Sequence, residues 1–200
     1  MNALGKKPIA CIRVVPSRYI RSMSEIRKAN VEGATYFVTF TVVGWVDVFT
    51  RKELADELVR NIRYCQEHKG LELFAYVIMS NHVHFVLRRR DGSLADLLRD
   101  LKSFTAKQLL HLIATLPNES RNEWMMHHFG HAGRTSAHNK NYAFWIKDSH
   151  PTELYTQPVF NQKVEYIHMN PVVSGIVSEP EHYLLSSAHP NGPLELNGYG

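Results

Sequence analysis

The sequence predicts an α+β fold in which the elements follow the order β-α-β-β-α-β and one more helix comes after them. Three observations carry this expectation. Residues 36–42 and 71–87 have strand composition and patterning. Residues 50–70 and 93–107 repeat apolar side chains every three or four positions. A last helical period runs over 159–170.

Tyr36-Phe37-Val38-Thr39-Phe40-Thr41-Val42 is aromatic and β-branched, a first strand whose Phe37, Thr39 and Thr41 face is the more polar. Thr50-Arg51-Lys52-Glu53 has the form of a capping box, so a helix is predicted to start there. Leu54, Leu58, Ile62 and Cys65 form its buried stripe, which makes Cys65 a core residue, and Gly70 is placed to end it. Leu71 to Met79 is apolar on both parities apart from Glu72, as in a strand covered on both faces. Ser80-Asn81 leaves room only for a tight turn, so the next strand should return antiparallel as a hairpin. Ser93-Leu94-Ala95-Asp96 marks a second helix start, followed by the stripe Leu94, Leu97, Leu98, Leu101 and Phe104. A shorter helix is expected near Glu119 to Phe129, and Gly130 to Asn141 reads as a loop. Tyr142 to Ile146 then reads as a short final strand, and Val159 to Asn170 as a helix ended by Pro171.

Composition is ordinary for a globular chain: of 200 residues, 44% are hydrophobic and 21% charged, enough for one domain with a core. Cys11 and Cys65 form no metal-type spacing and no disulfide scaffold, which suits a reducing, cytoplasmic setting. No apolar run is long enough for a membrane span, so no membrane partner is expected. The net charge of +4 is concentrated at the start of the chain. Residues 1–34 hold Lys6, Lys7, Arg13, Arg18, Arg21, Arg27 and Lys28 against Glu25 and Glu32, and the remainder is close to neutral. Such an arm fits phosphate contacts and equally fits a solvated tail.

His82 and His84 lie two residues apart in a strand, so both imidazoles leave the same face with Cα atoms about 6.8 Å apart. Val83, Phe85 and Leu87 point the other way and form a core set. A histidine pair of this kind also arises in ordinary strands, and it becomes half of a metal site only with a further donor. In the last helix, Phe160, Val164 and Ile167 form the buried stripe, and Gln162, Tyr166 and Asn170 form a second row. The Asn170 carbonyl oxygen with the two histidines makes three neutral ligands, with room for water or a phosphate oxygen. Tyr166, one turn earlier, would reach a bound phosphate and attack phosphorus, while a divalent ion polarises the phosphodiester. The plainer alternatives are a packing tyrosine and a helix-terminal asparagine before proline.

Phosphate-binding candidates are Arg88, Arg89 and Arg90 at a strand end, with Lys102 and Lys107 off the apolar stripe of the second helix. His127, His128, His131 and His138 match no standard zinc spacing and are read as structural or solvated.

The residues Asn81-His82-Val83-His84 and Glu165-Tyr166-Ile167-His168-Met169-Asn170-Pro171-Val172 resemble the HUH single-tyrosine transposases, in particular the REP-associated tyrosine transposases of bacteria, which are of the insertion-sequence 200-like type. Phe144-Trp145, Leu101-Lys102-Ser103-Phe104-Thr105 and Glu181 to Ala188 add to the resemblance, which spans residues 34 to 196. Ser80 and His189 depart from it, where proline and arginine are common. The resemblance implies a ferredoxin-like antiparallel sheet with helices on one face, plus an additional C-terminal helix carrying the catalytic Tyr166. It implies a single catalytic domain over 35–196 behind a basic N-terminal extension, 1–34. It further implies cleavage and joining of single-stranded DNA near hairpins through a 5′-phosphotyrosine, with Mg²⁺ or Mn²⁺ on His82, His84 and Asn170, in the cytoplasm at the nucleoid. Monomer and homodimer both remain open, as does a tyrosine acting in cis or in trans.

A rival of another class is a catalytically silent DNA-hairpin-binding regulatory protein with the same fold. A two-histidine phosphoesterase acting on RNA is a third reading, but it would want a second histidine motif with hydroxyl partners.

Overall fold

The computed structural model describes residues 31–135, 141–147, 149 and 151–198. Most of the basic extension, residues 1–30, therefore lies outside the described residues, as do Cys11 and His138. Strand β1 (Tyr36–Thr41) is followed by helix α1 (Lys52–His68), the hairpin strands β2 (Leu71–Ile78) and β3 (His82–Arg89), and helix α2 (Leu94–Thr115). Helix α3 (Asn122–Thr135), strand β4 (Thr152–Glu153) and helix α4 (Gln157–Val173) complete the fold. The sheet order is β2-β3-β1-β4, and each pairing is antiparallel, the arrangement of a ferredoxin-like sheet. As expected, Met79 N–H bonds to His82 O across the Ser80-Asn81 turn at 2.8 Å.

The two faces of the sheet bury two separate apolar clusters. Tyr36, Val38 and Phe40 of β1 and Val83, Phe85 and Leu87 of β3 pack under α1, α2 and α3. On the opposite face Phe74, Ala75, Val77 and Val86 pack against Phe160 and Ile167 of α4. β2 serves both clusters through a bulge between Leu73 and Ala75. Leu71 and Leu73 before it, and Tyr76 and Ile78 after it, reach the same side, because one extra residue reverses the parity of the strand. The free edge of β2 is covered by the C-terminal segment, where Ser187 N–H bonds to Tyr76 O at 2.9 Å and Asn197 N–H to Leu73 O at 2.7 Å.

Several local expectations are corrected. The Thr50 box does not form: Thr50 closes a 3-10 turn (Val48–Thr50), its hydroxyl donates back to Asp47 O at 3.0 Å, and Arg51 becomes the cap of α1. The Ser93 cap does form, accepting from Asp96 N–H at 3.2 Å. Gly130 to Thr135 is helical, not loop. Gly133 is there for close approach, since a Cβ would lie 2.5 Å from the Tyr142 backbone. Tyr142 to Ile146 contributes one bridge, Val42 to Trp145, and no strand; the fourth strand is Thr152–Glu153. The reason is that Ala143, Phe144 and Trp145 are all buried in succession, against Phe129, Phe40 and Phe49, instead of alternating across a pleat. Pro171 lies inside α4. The helix ends at Val173 and is closed off by Gly175, with φ +70°, where Gly175 N–H meets Val172 O and Ile176 N–H meets Pro171 O, both at 2.9 Å.

Candidate functional site

β3 is an inner strand beside β1, and its register sets Thr39 opposite His84 and Thr41 opposite His82. The even positions of β3 face α4, so both imidazoles emerge under that helix. Their ring centroids are 4.8 Å apart. Thr39 Oγ1 lies 2.8 Å from His84 Nδ1. Asn81 Oδ1 accepts from His82 Nδ1 at 2.8 Å. The Asn81 orientation is fixed by its Nδ2, which donates to Asp47 Oδ1 at 2.9 Å and Trp45 O at 3.3 Å. An amide oxygen can only accept, so Nδ1 of His82 carries the proton and Nε2 keeps its lone pair.

α4 is seated by Phe160, Val164 and Ile167, and this turns Tyr166 and Asn170 toward the histidines. The Tyr166 ring stands 5.2 Å from that of His84 and 5.9 Å from Phe37, and Phe37 stacks on His84 at 5.3 Å. Tyr166 is 49% exposed, so its hydroxyl is open to a large ligand. Asn170 stands close enough to His82 to favour its protonated form. Burial holds both imidazoles neutral. For His84 burial, then the charges of His82 and Lys163, push the pKa down to about 3; for His82 burial lowers it against the opposing Asn170 side chain.

The structure thus brings His82, His84, Tyr166 and Asn170 into one cluster. Gln162, of the same helical row, is exposed. Lys163 is the residue that sequence reasoning missed: its Nζ lies 4.7 Å from the Phe37 ring centroid and 5.7 Å from that of Tyr166. The signal was available, because position 163 is three before Tyr166 and so shares its side of the helix. Thr39 and Phe37 were also missed as partners, since strand pairing rather than sequence spacing makes them neighbours; Asn81 precedes His82 in the chain, but its side chain is aimed by Asp47 and Trp45.

The donor set suits a cation. Two neutral imidazoles, at least one with Nε2 free of its proton, and an amide stand together, and the ring orientations are held by hydrogen bonds to Nδ1. No group of three or more His, Cys, Asp or Glu is gathered for a metal among the described residues.

The basic candidates are spread out. Arg88 to Arg90 lie at the far end of β3, about 20 Å along the strand from His82. Arg88 ion-pairs with Glu72 and lies over Phe74; Arg90 Nε is 3.2 Å from Glu72 Oε1. The Arg88 hydrogen bond, with that of Arg90, holds the Glu72 carboxyl below its ordinary range despite burial. Arg89 Nη1 donates to Ser93 O at 2.9 Å. Lys102 and Lys107 are on α2, across the sheet from the histidines. Lys102 Nζ reaches Ile146 O at 2.6 Å and Ser149 Oγ at 2.8 Å, and Lys107 is exposed. His168, two residues after the tyrosine, turns to the C-terminal segment, 2.9 Å from Ser187 Oγ.

The model of the family described as IS200-like transposases matches residues 30–142, a span that includes both histidines and stops before α4. Among solved structures, a REP-associated tyrosine transposase bound to a REP hairpin matches with a TM-score of 0.57 and 19% identity, covering 89% of this chain and 92% of that one. A putative transposase from Deinococcus radiodurans R1 is similar with a TM-score of 0.43 and 20% identity, over 70% of this chain and 92% of that one. No curated protein matches the chain. Among the described residues no helix is long and apolar enough to cross a membrane.

Proposed function

The chain belongs to the IS200-like transposases, and is thus a DNA transposase; from that premise we propose that it cuts and rejoins single-stranded DNA beside hairpins through Tyr166. The observation that carries this reading is the convergence of Tyr166 of α4 on His84 of β3, with ring centroids 5.2 Å apart. The likeness to a transposase bound to a REP hairpin supports hairpin DNA as the partner.

The Tyr166 oxygen attacks phosphorus in line. A bond from that oxygen to phosphorus forms as the bond from phosphorus to the departing 3′-oxygen breaks. The products are a 3′-hydroxyl and a 5′-phosphotyrosine. Attack by the 3′-hydroxyl of another strand reverses the chemistry and joins the two without ATP. Lys163 brings a positive charge to the same side, where it attracts the approaching phosphate. Thr39 and Asn81 keep the imidazoles oriented. A divalent cation, Mg²⁺ or Mn²⁺, held by His82, His84 and Asn170 would supply Lewis-acid polarisation of the phosphodiester. Further phosphate contacts fall to Arg88, Arg89 and Arg90 along the same strand, and to Lys102 and Lys107 only for DNA that wraps the sheet edge. The activity belongs at the nucleoid, in the cytoplasm.

The test is to mix the protein with single-stranded hairpin DNA and Mn²⁺ and to look for a covalent protein–DNA band on a denaturing gel. Tyr166→Phe should abolish the band, and chelation should abolish cleavage while leaving most of the DNA affinity, which comes from phosphate contacts. An adduct retained by Tyr166→Phe would displace the nucleophile. No adduct across varied hairpins would point to the hairpin-binding regulator.

A further inference from the structure

Two exposed indoles are left unused by the strand chemistry above: Trp45, beside His82, and Trp124, which stacks on His128. Trp45 is 60% exposed and Trp124 55%. The Trp45 ring meets His82 at a steep angle, with centroids 5.7 Å apart. Trp45 has φ +55°, the only positive value for a non-glycine residue among the described residues, in a region that L residues avoid.

The surrounding turn holds that conformation from several sides. Trp45 N–H bonds to Val42 O at 3.0 Å, and Val43 N–H to Phe144 O at 2.8 Å. Asn81 Nδ2 donates to Trp45 O, while Asn81 Oδ1 accepts from His82. A single amide therefore positions both the indole-bearing peptide and the imidazole. One residue back, Gly44 lies so close to His128 that a Cβ would sit 2.3 Å from Nε2. His128 in turn stacks on Trp124, with planes 19° apart and centroids at 5.7 Å. The bare backbone at position 44 is what allows the two tryptophan-bearing segments to meet.

Neither indole is spent on the core. Trp145 plays that part, 6% exposed, with Nε1 donating to Thr105 Oγ1 at 3.0 Å. A strained backbone that pushes a large apolar ring into solvent beside a phosphate-binding cluster needs another explanation, and a flat, sequence-tolerant partner for the ring supplies one. Bases of a single strand have exposed π-faces and stack on aromatic side chains, whereas bases within a duplex already stack on one another.

We propose that Trp45 is a stacking platform for an unpaired DNA base next to the phosphodiester bound at the His82 and His84 cluster. The inference rests on the functional reading above and names how that site selects an unpaired strand.

The test uses the full chain without added metal and two single-stranded oligonucleotides of equal length, one ordinary and one with abasic nucleotides. Titration is followed by tryptophan fluorescence. The wild type should bind the ordinary strand about ten- to a hundredfold more tightly, the range of one base–aromatic stack, with quenching of exposed-indole emission. Trp45→Gly deletes the ring and relieves the positive φ, so it should fold, lose most of this preference and keep its affinity for the abasic strand. Trp45→Phe should recover much of the preference. A wild type that binds both strands equally, or a Trp45→Gly variant that discriminates like the wild type, overturns the platform. The covalent-adduct assay separates the two readings. An adduct with unchanged discrimination in Trp45→Gly removes the platform alone; Trp45-dependent discrimination without an adduct removes the tyrosine chemistry alone.

Discussion

Under α1, α2 and α3, Val83, Phe85 and Leu87 of β3 are at most 1% exposed and sit in a continuous core with Tyr36, Val38 and Phe40. On the other face of the same strand, His82, His84 and Arg88 share the row with one apolar residue, Val86, and α4 covers them with a smaller apolar cluster. One side of β3 fixes the sheet; the other displays polar groups on it. Functional side chains on a strand that is locked from behind hold their positions without contributing much to stability. The comparison therefore predicts that stability and activity can be damaged separately.

The largest separation should come from Phe85→Ala beside Tyr166→Phe. Phe85 is buried and meets Phe40 edge-on at 5.5 Å. Its loss should lower the unfolding free energy by about 3–5 kcal/mol in denaturant titration. Tyr166→Phe should change it by less than about 0.5 kcal/mol, because the removed hydroxyl belongs to a half-exposed ring, while abolishing the adduct. Equal destabilisation by the two would break the comparison.

Thr39→Val probes the polar face more finely. The substitution keeps the shape and removes the hydroxyl beside His84 Nδ1. Mn²⁺ affinity, measured by calorimetry, should fall about 10- to 100-fold with little change in melting temperature. A fall in stability without a change in metal affinity would make Thr39 a packing residue.

Lys163→Ala should slow adduct formation by roughly tenfold at saturating DNA, with stability unchanged within about 0.5 kcal/mol, if its charge serves the tyrosine side of the site. Single-turnover kinetics read this directly.

A last effect concerns acid stability on the helix side. Glu119 is buried and pairs with Arg121 at 2.8 Å and Arg51 at 3.3 Å. The Arg121 hydrogen bond, against burial and with help from Arg51, holds its carboxyl at about pKa 2. A depressed carboxylate stabilises the fold above its ordinary range near pH 4.5 and loses that contribution as pH falls toward 2. Glu119→Gln should therefore be less stable than the wild type at pH 7, by about 2 kcal/mol, and the gap should close between those two pH values.

Much of the architecture was legible in local patterns. The strand alternation of β1, the stripes of α1 and α2, the Ser93 cap and the tight turn before His82 are nearest-neighbour effects, and the structure contains them. The errors have two causes. Packing redirects Gly133, on which Tyr142 presses, and Tyr142 to Ile146, whose Phe144 and Trp145 are received by three aromatic rings; at Thr50 and Pro171 a nearby competitor wins, as Asp47 O draws the Thr50 hydroxyl and Gly175 rather than Pro171 closes the helix. Lys163 was overlooked because a charged residue on a helix face is ordinarily solvent-facing, and only the seating of α4 on β2 and β3 turns it inward.

The histidine pair shows where sequence stops. By itself the sequence determined that His82 and His84 leave one face of a strand backed by Val83, Phe85 and Leu87, because a strand has a period of two. It also determined that Tyr166 and Asn170 share a face, because a helix has a period of 3.6. Which strand supplies Thr39 to His84, which end of the sheet α4 crosses, and that Trp45 is held beside His82 by Asn81 were decided only by the tertiary structure. Local periods fix directions along each element; distances between elements come from burying Phe160, Val164 and Ile167 against Phe74, Val77 and Val86, a packing to which residues far apart in the chain contribute.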